Sequence, residues 1–253
     1  MINVKNIFKT YDDKTFALED VSFNLEQGQI VSVLGHNGAG KSTLLKIIAT
    51  VLAPTQGEVH FDSICLTKAN QNQLRNIKRT IGFLTEDPNL FDNFTPFEYL
   101  TYLGQLYGIN DDTILKTKIN DLFILFNIDK GETKFINKYS SGLKKRIALA
   151  GVMINEPKLV ILDEPTNNLD PVGVKLFIQL MQNIKSKGTS VILATHQLEI
   201  AERISDVIVV IDHGRIIFKG TLSLLENMFN KIKTNKSLEN LYTLLVEDEA
   251  FVE

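Results

Sequence analysis

The run Ile30-Val31-Ser32-Val33-Leu34 leads straight into Gly35-His36-Asn37-Gly38-Ala39-Gly40-Lys41-Ser42, and apolar residues at helical spacing follow (Leu44, Leu45, Ile47, Ile48). A buried strand, a glycine-rich turn and a helix opening on lysine and a hydroxyl leave few folds open. The glycines let the backbone aim several N–H groups at one anion, at the positive end of the helix. Lys41 brings a cation on a long stem to the β- and γ-phosphates, and the Ser42 hydroxyl suits Mg²⁺. The spacing fits G-x-x-x-x-G-K-[ST] in the strand–helix setting that gives the pattern its meaning. It predicts a nucleotide site made by Gly35, His36, Asn37, Gly38, Ala39, Gly40, Lys41, Ser42 and Thr43. His36 is read as loop lining.

The rest of the chain supports a parallel α/β core. Ile2 to Ile7 and Phe16 to Leu25 read as strands, the second with a phase shift at Glu19-Asp20 that predicts a bend. The loop's helix is expected over Lys41 to Thr50. From Phe94 to Phe126 the apolar residues recur every three or four positions, which is helical, and Thr95-Pro96 with Glu98 marks a helix start. Gly142 to Ile154 reads as a further helix. Leu159 to Leu162, Ser190 to Ala194 and Val207 to Ile211 are short apolar strands, with helical segments Val174 to Lys185 and Leu198 to Arg203 between them. This order predicts a parallel sheet with a helical insertion at about 87–155. Residues 221–253 read as a short helical appendage, with a basic link at Lys231 to Lys236 and an acidic end.

Two further constellations fit phosphate chemistry. Leu159-Val160-Ile161-Leu162 ends in Asp163-Glu164, so Asp163 can hold a Mg²⁺ shell and Glu164 can polarise an attacking water. His196 follows the strand Ser190 to Thr195, and ligands of parallel sheets sit beyond such carboxyl ends. That predicts contact with the γ-phosphate; the competing reading is a capping or buried histidine. His60 and His213 have no evident partner and read as structural.

Composition narrows the class. With 27 Lys+Arg against 30 Asp+Glu the net charge is −3, so no single-sign field favours nucleic acid. No stretch approaches the roughly 20 apolar residues of a membrane span, and the first residues lack the basic start of a signal peptide. A single cysteine, Cys65, excludes an internal disulfide. These features predict a cytoplasmic protein.

Tyr139-Ser140-Ser141-Gly142-Leu143-Lys144-Lys145-Arg146, upstream of Asp163, resembles the signature sequence of ABC transporter ATPase subunits. The other motifs stand in that family's order: the phosphate loop, Gly82-Phe83-Leu84-Thr85-Glu86, Asp163-Glu164, Asn168-Leu169-Asp170, then His196. The resemblance covers residues 1–220 and is nearest to separate-chain ATPases of drug, lipid or sodium exporters. It implies a P-loop NTPase fold with a parallel-sheet core, an N-terminal antiparallel β subdomain and an inserted α-helical subdomain. It also implies ATP and Mg²⁺ as cofactors. Glu164, His196 and Lys41 would be catalytic, Ser42, Asp163 and Glu86 would hold the metal, and Tyr11 would stack on adenine, against the reading of an exposed turn tyrosine. Two copies would pair head to tail, Ser140 and Gly142 of one completing the other's site with Asp170 at the same interface. A separate transmembrane permease would dock on the insertion, keeping the protein peripheral on the cytoplasmic face of the membrane. A regulatory nucleotide binder or a non-transport ABC ATPase is the alternative. The chain departs from the family at Glu86, where glutamine is usual, at Ser141, where glycine is usual, and at Leu143, where glutamine is usual. Asn167 and Asn168 read as turn formers.

Overall fold

The computed structural model describes residues 1–12, 15–129, 134–228 and 238–247. Two antiparallel strands come first, β1 (Ile2–Thr10) and β2 (Phe16–Leu25). The expected bend is present. Asn6 and Asp20 both take left-handed backbone (φ 45° and 52°), and the Asn6 amide donates to Asp20 Oδ1 at 2.7 Å. Leu18 and Val21, three apart, therefore both point into the core at 0% exposure.

β3 (Ile30–Leu34) delivers the glycine loop to helix α1 (Lys41–Ile48), which stops two residues short of the expected Thr50, where the backbone turns left-handed. β4 (Gln56–Phe61) and β5 (Ile64–Cys65) complete an antiparallel sheet in the order β2-β1-β4-β5. Helix α2 (Gln71–Lys78) and strand β6 (Ile81–Leu84) follow. The helical stretch from Phe94 to Phe126 is two helices, α3 (Pro96–Leu106) and α4 (Asp112–Leu125). They part at Gly108, and Asp111 caps the second by accepting from Thr113 N and Ile114 N. Thr95 and Glu98 form the expected capping box on the first.

Helix α5 (Ser141–Met153) leads to β7 (Leu159–Asp163), α6 (Pro171–Ser186), β8 (Ser190–Thr195), α7 (Leu198–Ile204), β9 (Val207–Asp212) and β10 (Arg215–Gly220). These strands build the second sheet, ordered β10-β9-β3-β8-β7-β6. All its pairings are parallel except β10 with β9.

Three apolar clusters hold the layers together. One places α1 between the two sheets through Leu44, Leu45 and Ile48. A second packs α5 and α6 on the opposite face of the parallel sheet, and a third joins β9 and β10 to the C-terminal helices α8 (Leu222–Met228) and α9 (Leu238–Glu247). Leu225, Leu238, Leu241 and Leu245 are fully buried there. Among the described residues only β3 contributes to all three, with Ile30 in the second, Val31 and Val33 in the first and Leu34 in the third. The basic link Lys231 to Lys236 and the acidic end lie outside the described residues. No helix among the described residues is long and apolar enough to cross a membrane.

Candidate active site

The phosphate loop leaves β3 at Gly35, where an added Cβ would lie 2.4 Å from the Ile211 carbonyl oxygen. At Gly40, the N-cap of α1, φ is +106° and a Cβ would meet Ala17 O at 2.5 Å. Only glycine fits such a left-handed, crowded position. No side chain caps α1, so its first N–H groups are left for an anion. Lys41 is buried and curls back, Nζ donating to Gly35 O at 2.7 Å and His36 O at 3.2 Å. The Tyr11 hydroxyl meets Thr43 Oγ1 at 3.2 Å, while its ring is 66% exposed and has Lys9 Nζ over it. A sequence-distant aromatic face therefore stands open beside the loop.

The parallel register brings the acidic pair to the same edge. Leu34 of β3 pairs with Thr195 of β8, and Asp163 of β7 pairs with Ala194. Glu164 follows in left-handed backbone (φ 46°), a strained conformation for this residue type that concentrates at functional sites. Its Oε1 lies 3.8 Å from Lys41 Nζ and 3.0 Å from His196 Nδ1, the latter contact not aligned as a hydrogen bond. Both Glu164 oxygens and Asp163 Oδ1 are buried without a hydrogen-bond partner. Burial pushes the Asp163 carboxyl above the ordinary aspartate value. A hydrogen bond from Ser42 and the charge of Lys41 oppose that shift, and Glu164 and Glu86 add to it. Buried carboxylate oxygens lacking donors are what a hard divalent cation satisfies, so Ser42 and Asp163 fit Mg²⁺ at this edge.

Glu86 is exposed, and its Oε1 accepts from Asn167 Nδ2 at 3.2 Å; Asn167 Oδ1 accepts from Gln197 Nε2 at 3.3 Å. The three line a cleft of about 480 Å³ together with Asp87, Asn168 and His196. Asn167 is thus more than a turn former, whereas Asn168 (φ 67°) does turn the chain.

Ser140 and Gly142 stand apart. Ser140 is exposed and caps α5, accepting from Leu143 N at 3.4 Å, and Gly142 abuts the Asn168 carbonyl, which an added Cβ would approach to 3.0 Å. Among the described residues no hydrogen bond or ion pair joins either to residues 35–43. Asp170 caps α6, its Oδ1 accepting from Gly173 N at 2.8 Å.

Residues 18–167 match the family described as ABC transporter. The chain is 32% identical over 229 residues to the ABC transporter ATP-binding protein NatA of Bacillus subtilis (strain 168), covering 89% of this chain and 91% of that protein. The chain belongs to the ABC transporter ATP-binding subunits. It is 34% identical over 221 residues to the methionine import ATP-binding protein MetN of Haemophilus influenzae (strain 86-028NP), covering 87% of this chain and 64% of the relative. Among solved structures, an ATP-binding subunit of an ABC transporter superposes with a TM-score of 0.87 at 30% identity, covering 98% of this chain and all of that one. A dimeric ATP-binding cassette in a post-hydrolysis state with ADP and Pi superposes with a TM-score of 0.81 at 27% identity, covering 87% and 98%. As an ABC ATPase subunit, the chain binds and hydrolyses ATP.

Sequence reasoning missed Lys145 and the surroundings of His36. Lys145, buried on α5, donates to the Glu86 carbonyl at 2.6 Å. Burial pushes its ammonium below the ordinary lysine value, and the carboxylates of Asp87, Glu86, Asp163 and Glu164 oppose that. A lysine at the i, i+4 interval from the short-chain Ser141 on a mostly apolar helix face was the available signal. His213, read as structural, lies with its ring centroid 5.3 Å from that of His36.

Proposed function

We propose that this chain is the motor of a membrane exporter, pairing head to tail with a second copy of itself and docking on a separate permease. The observation that carries the catalytic part is the buried Asp163–Glu164 pair facing Lys41, with three carboxylate oxygens left without donors. In this reading residues 1–220 form one ATP-binding unit and 221–253 its appendage. Gly35 to Thr43 and Lys41 grip the phosphates, and Tyr11 stacks on adenine. Ser42, Asp163 and Glu86 would hold Mg²⁺, which supplies charge neutralisation on the phosphate oxygens. Glu164 takes a proton from the attacking water, and His196 positions both that carboxylate and the γ-phosphate. Ser140, exposed, and Gly142, half-buried, make no bond to their own loop among the described residues and would complete the partner's site, with Asp170 at the seam. Because each chain then holds half of two sites, ATP would hold the pair together and hydrolysis would release it.

The permease would meet the insertion around Phe91, Phe97 and Tyr102, which keep 38–45% of their surface exposed; Phe91 and Tyr102 belong to a cluster of edge-on rings with Phe94. This docking would place the protein on the cytoplasmic face of the membrane. Export rests on the resemblance to exporter ATPases; import is the competing reading, favoured by similarity to a methionine import protein. Co-purification from native membranes tests the assignment. A polytopic membrane protein should come down with the chain and be lost with Phe91→Asp/Tyr102→Asp. Transport into inverted vesicles on adding ATP should then give the direction. A fully active ATPase with no membrane partner would replace the transporter reading with a regulatory or non-transport one.

A further inference from the structure

Beside the phosphate loop, on the side away from Asp163, lies a second set of convergent polar groups. Asp212 ends β9 and His213 (φ 43°) opens the turn to β10. This turn is bonded directly to the loop, Gly214 N donating to Ala39 O at 3.0 Å, and to β2, Glu19 N donating to Gly214 O at 2.8 Å. Those bonds hold Asp212 and His213 against His36. His36 Nε2 lies 3.1 Å from Asp212 Oδ1 and His213 Nε2 lies 3.9 Å from Asp212 Oδ2. One ligand atom from each residue falls within 4.8 Å of the others.

The bonding of His36 singles this group out. Its Nδ1 lies 2.7 Å from Asn37 O, so both ring nitrogens face acceptors. A neutral imidazole has a single proton to offer. With that proton on Nδ1 shared with the carbonyl, the Nε2 lone pair points at an anionic oxygen, an arrangement that a cation between them would relieve. Backbone-carbonyl bonding of the far nitrogen is also the support that metal-ligating histidines have. Among the described residues no Lys or Arg pairs with Asp212. The one comparable cluster among the described residues, Glu58, His60 and Cys65, differs in this respect: Lys68 already pairs with Glu58 and, with His60, holds its carboxyl down to about 2.

We propose that His36, Asp212 and His213 form a binding site for a borderline divalent metal, Zn²⁺ above all, which fastens the β9–β10 turn to the phosphate loop. Two imidazole nitrogens and a carboxylate oxygen are a Zn²⁺ donor set, with water as fourth ligand. Bonds of about 2.0–2.1 Å in a tetrahedron need donor atoms roughly 3.3–3.5 Å apart, so the 3.1 Å His36–Asp212 separation would open slightly and the wider ones close by small side-chain rotations. Mg²⁺ prefers oxygen donors in an octahedron, so this site is distinct from that of Ser42 and Asp163. Binding does not depend on ATP turnover.

The test is titration of untagged, nucleotide-free protein with Zn²⁺ against a chromophoric chelator. One equivalent should bind at micromolar affinity or better, and His213→Gln or Asp212→Asn should each weaken it at least tenfold, as loss of a ligand or its support does. Melting in EDTA should be the same for the variants as for wild type, which separates a lost site from a lost fold. Co²⁺ should give tetrahedral visible bands without thiolate charge transfer, and Cys65→Ser should leave binding unchanged. Absence of Zn²⁺ binding, or its loss with Cys65→Ser and retention with His213→Gln, would overturn the proposal and leave His36–Asp212 a plain ion pair.

Discussion

Lys41 Nζ and Glu164 Oε1 face each other at 3.8 Å, each side chain only 6% exposed. The ammonium is occupied by Gly35 O and His36 O, so the carboxylate is left without a hydrogen bond. A γ-phosphate arriving here would draw Lys41 from its own carbonyls. The Glu164 carboxylate would then accept from the water that attacks.

Replacing that acceptor should separate binding from chemistry. Glu164→Gln should bind ATP as wild type does and lose about 10² to 10⁴ in turnover, the usual share of a positioned base. Nucleotide titration and phosphate release on the same preparation read both. Near-normal turnover would remove Glu164 from the role.

Asp163 carries an opposite test, of stability against function. A carboxyl raised by folding stabilises in its protonated form: its contribution is full below the ordinary aspartate range and is lost as pH rises through the folded value. At neutral pH the buried charge is therefore a net cost. Asp163→Asn should raise the Tm of the nucleotide-free protein by roughly 2–8 °C, taking 1–2 kcal/mol for a buried, half-satisfied group. The gain should shrink toward pH 4, while Mg²⁺-dependent hydrolysis disappears. Thermal melts across pH 4–8 check the sign.

Tyr11 offers its ring to solvent beside Thr43. Stacking on a base is worth about 1–3 kcal/mol, so Tyr11→Ala should weaken ATP binding by roughly 5- to 150-fold. Tyr11→Phe should keep nearly all of it. Equal affinities for all three would return Tyr11 to an exposed turn residue.

The residues proposed for the site are legible in the sequence because each group is local. Gly35 to Ser42, Asp163-Glu164 and His196 each announce themselves by a few adjacent residues after an apolar strand, and the register β3-β8-β7 gathers them. What stayed hidden depends on distant pairing. Asn167 is bonded between Glu86 and Gln197, and His213 is brought to His36 only because the β9–β10 turn folds onto Ala39. In the fold, α2 was missed because only Leu74 and Ile77 break its polar run, and β6 because four residues hold no period. The split between α3 and α4 is a matter of Gly108 and Asp111, which a continuous apolar rhythm conceals.

The loop glycines should differ in their tolerance. Gly40→Ala combines left-handed backbone with a Cβ 2.5 Å from Ala17 O and should cost about 2–4 kcal/mol. Gly38→Ala has φ +88° but nothing within 4 Å and should cost about 1 kcal/mol. Chemical denaturation of the nucleotide-free variants ranks them; the reverse order would contradict the packing described around Gly40.

β3 reaches all three apolar clusters, and this bears on which parts of the molecule open to solvent. An amide in a strand locked on both faces and both sides exchanges its hydrogen only when the whole domain unfolds. Val31 to Leu34 should therefore belong to the slowest-exchanging group, while the phosphate loop, one residue further on, should exchange faster. The boundary between the two regimes falls at Gly35. A nucleotide bound there should slow exchange in the loop alone, because the strand beneath it is already locked.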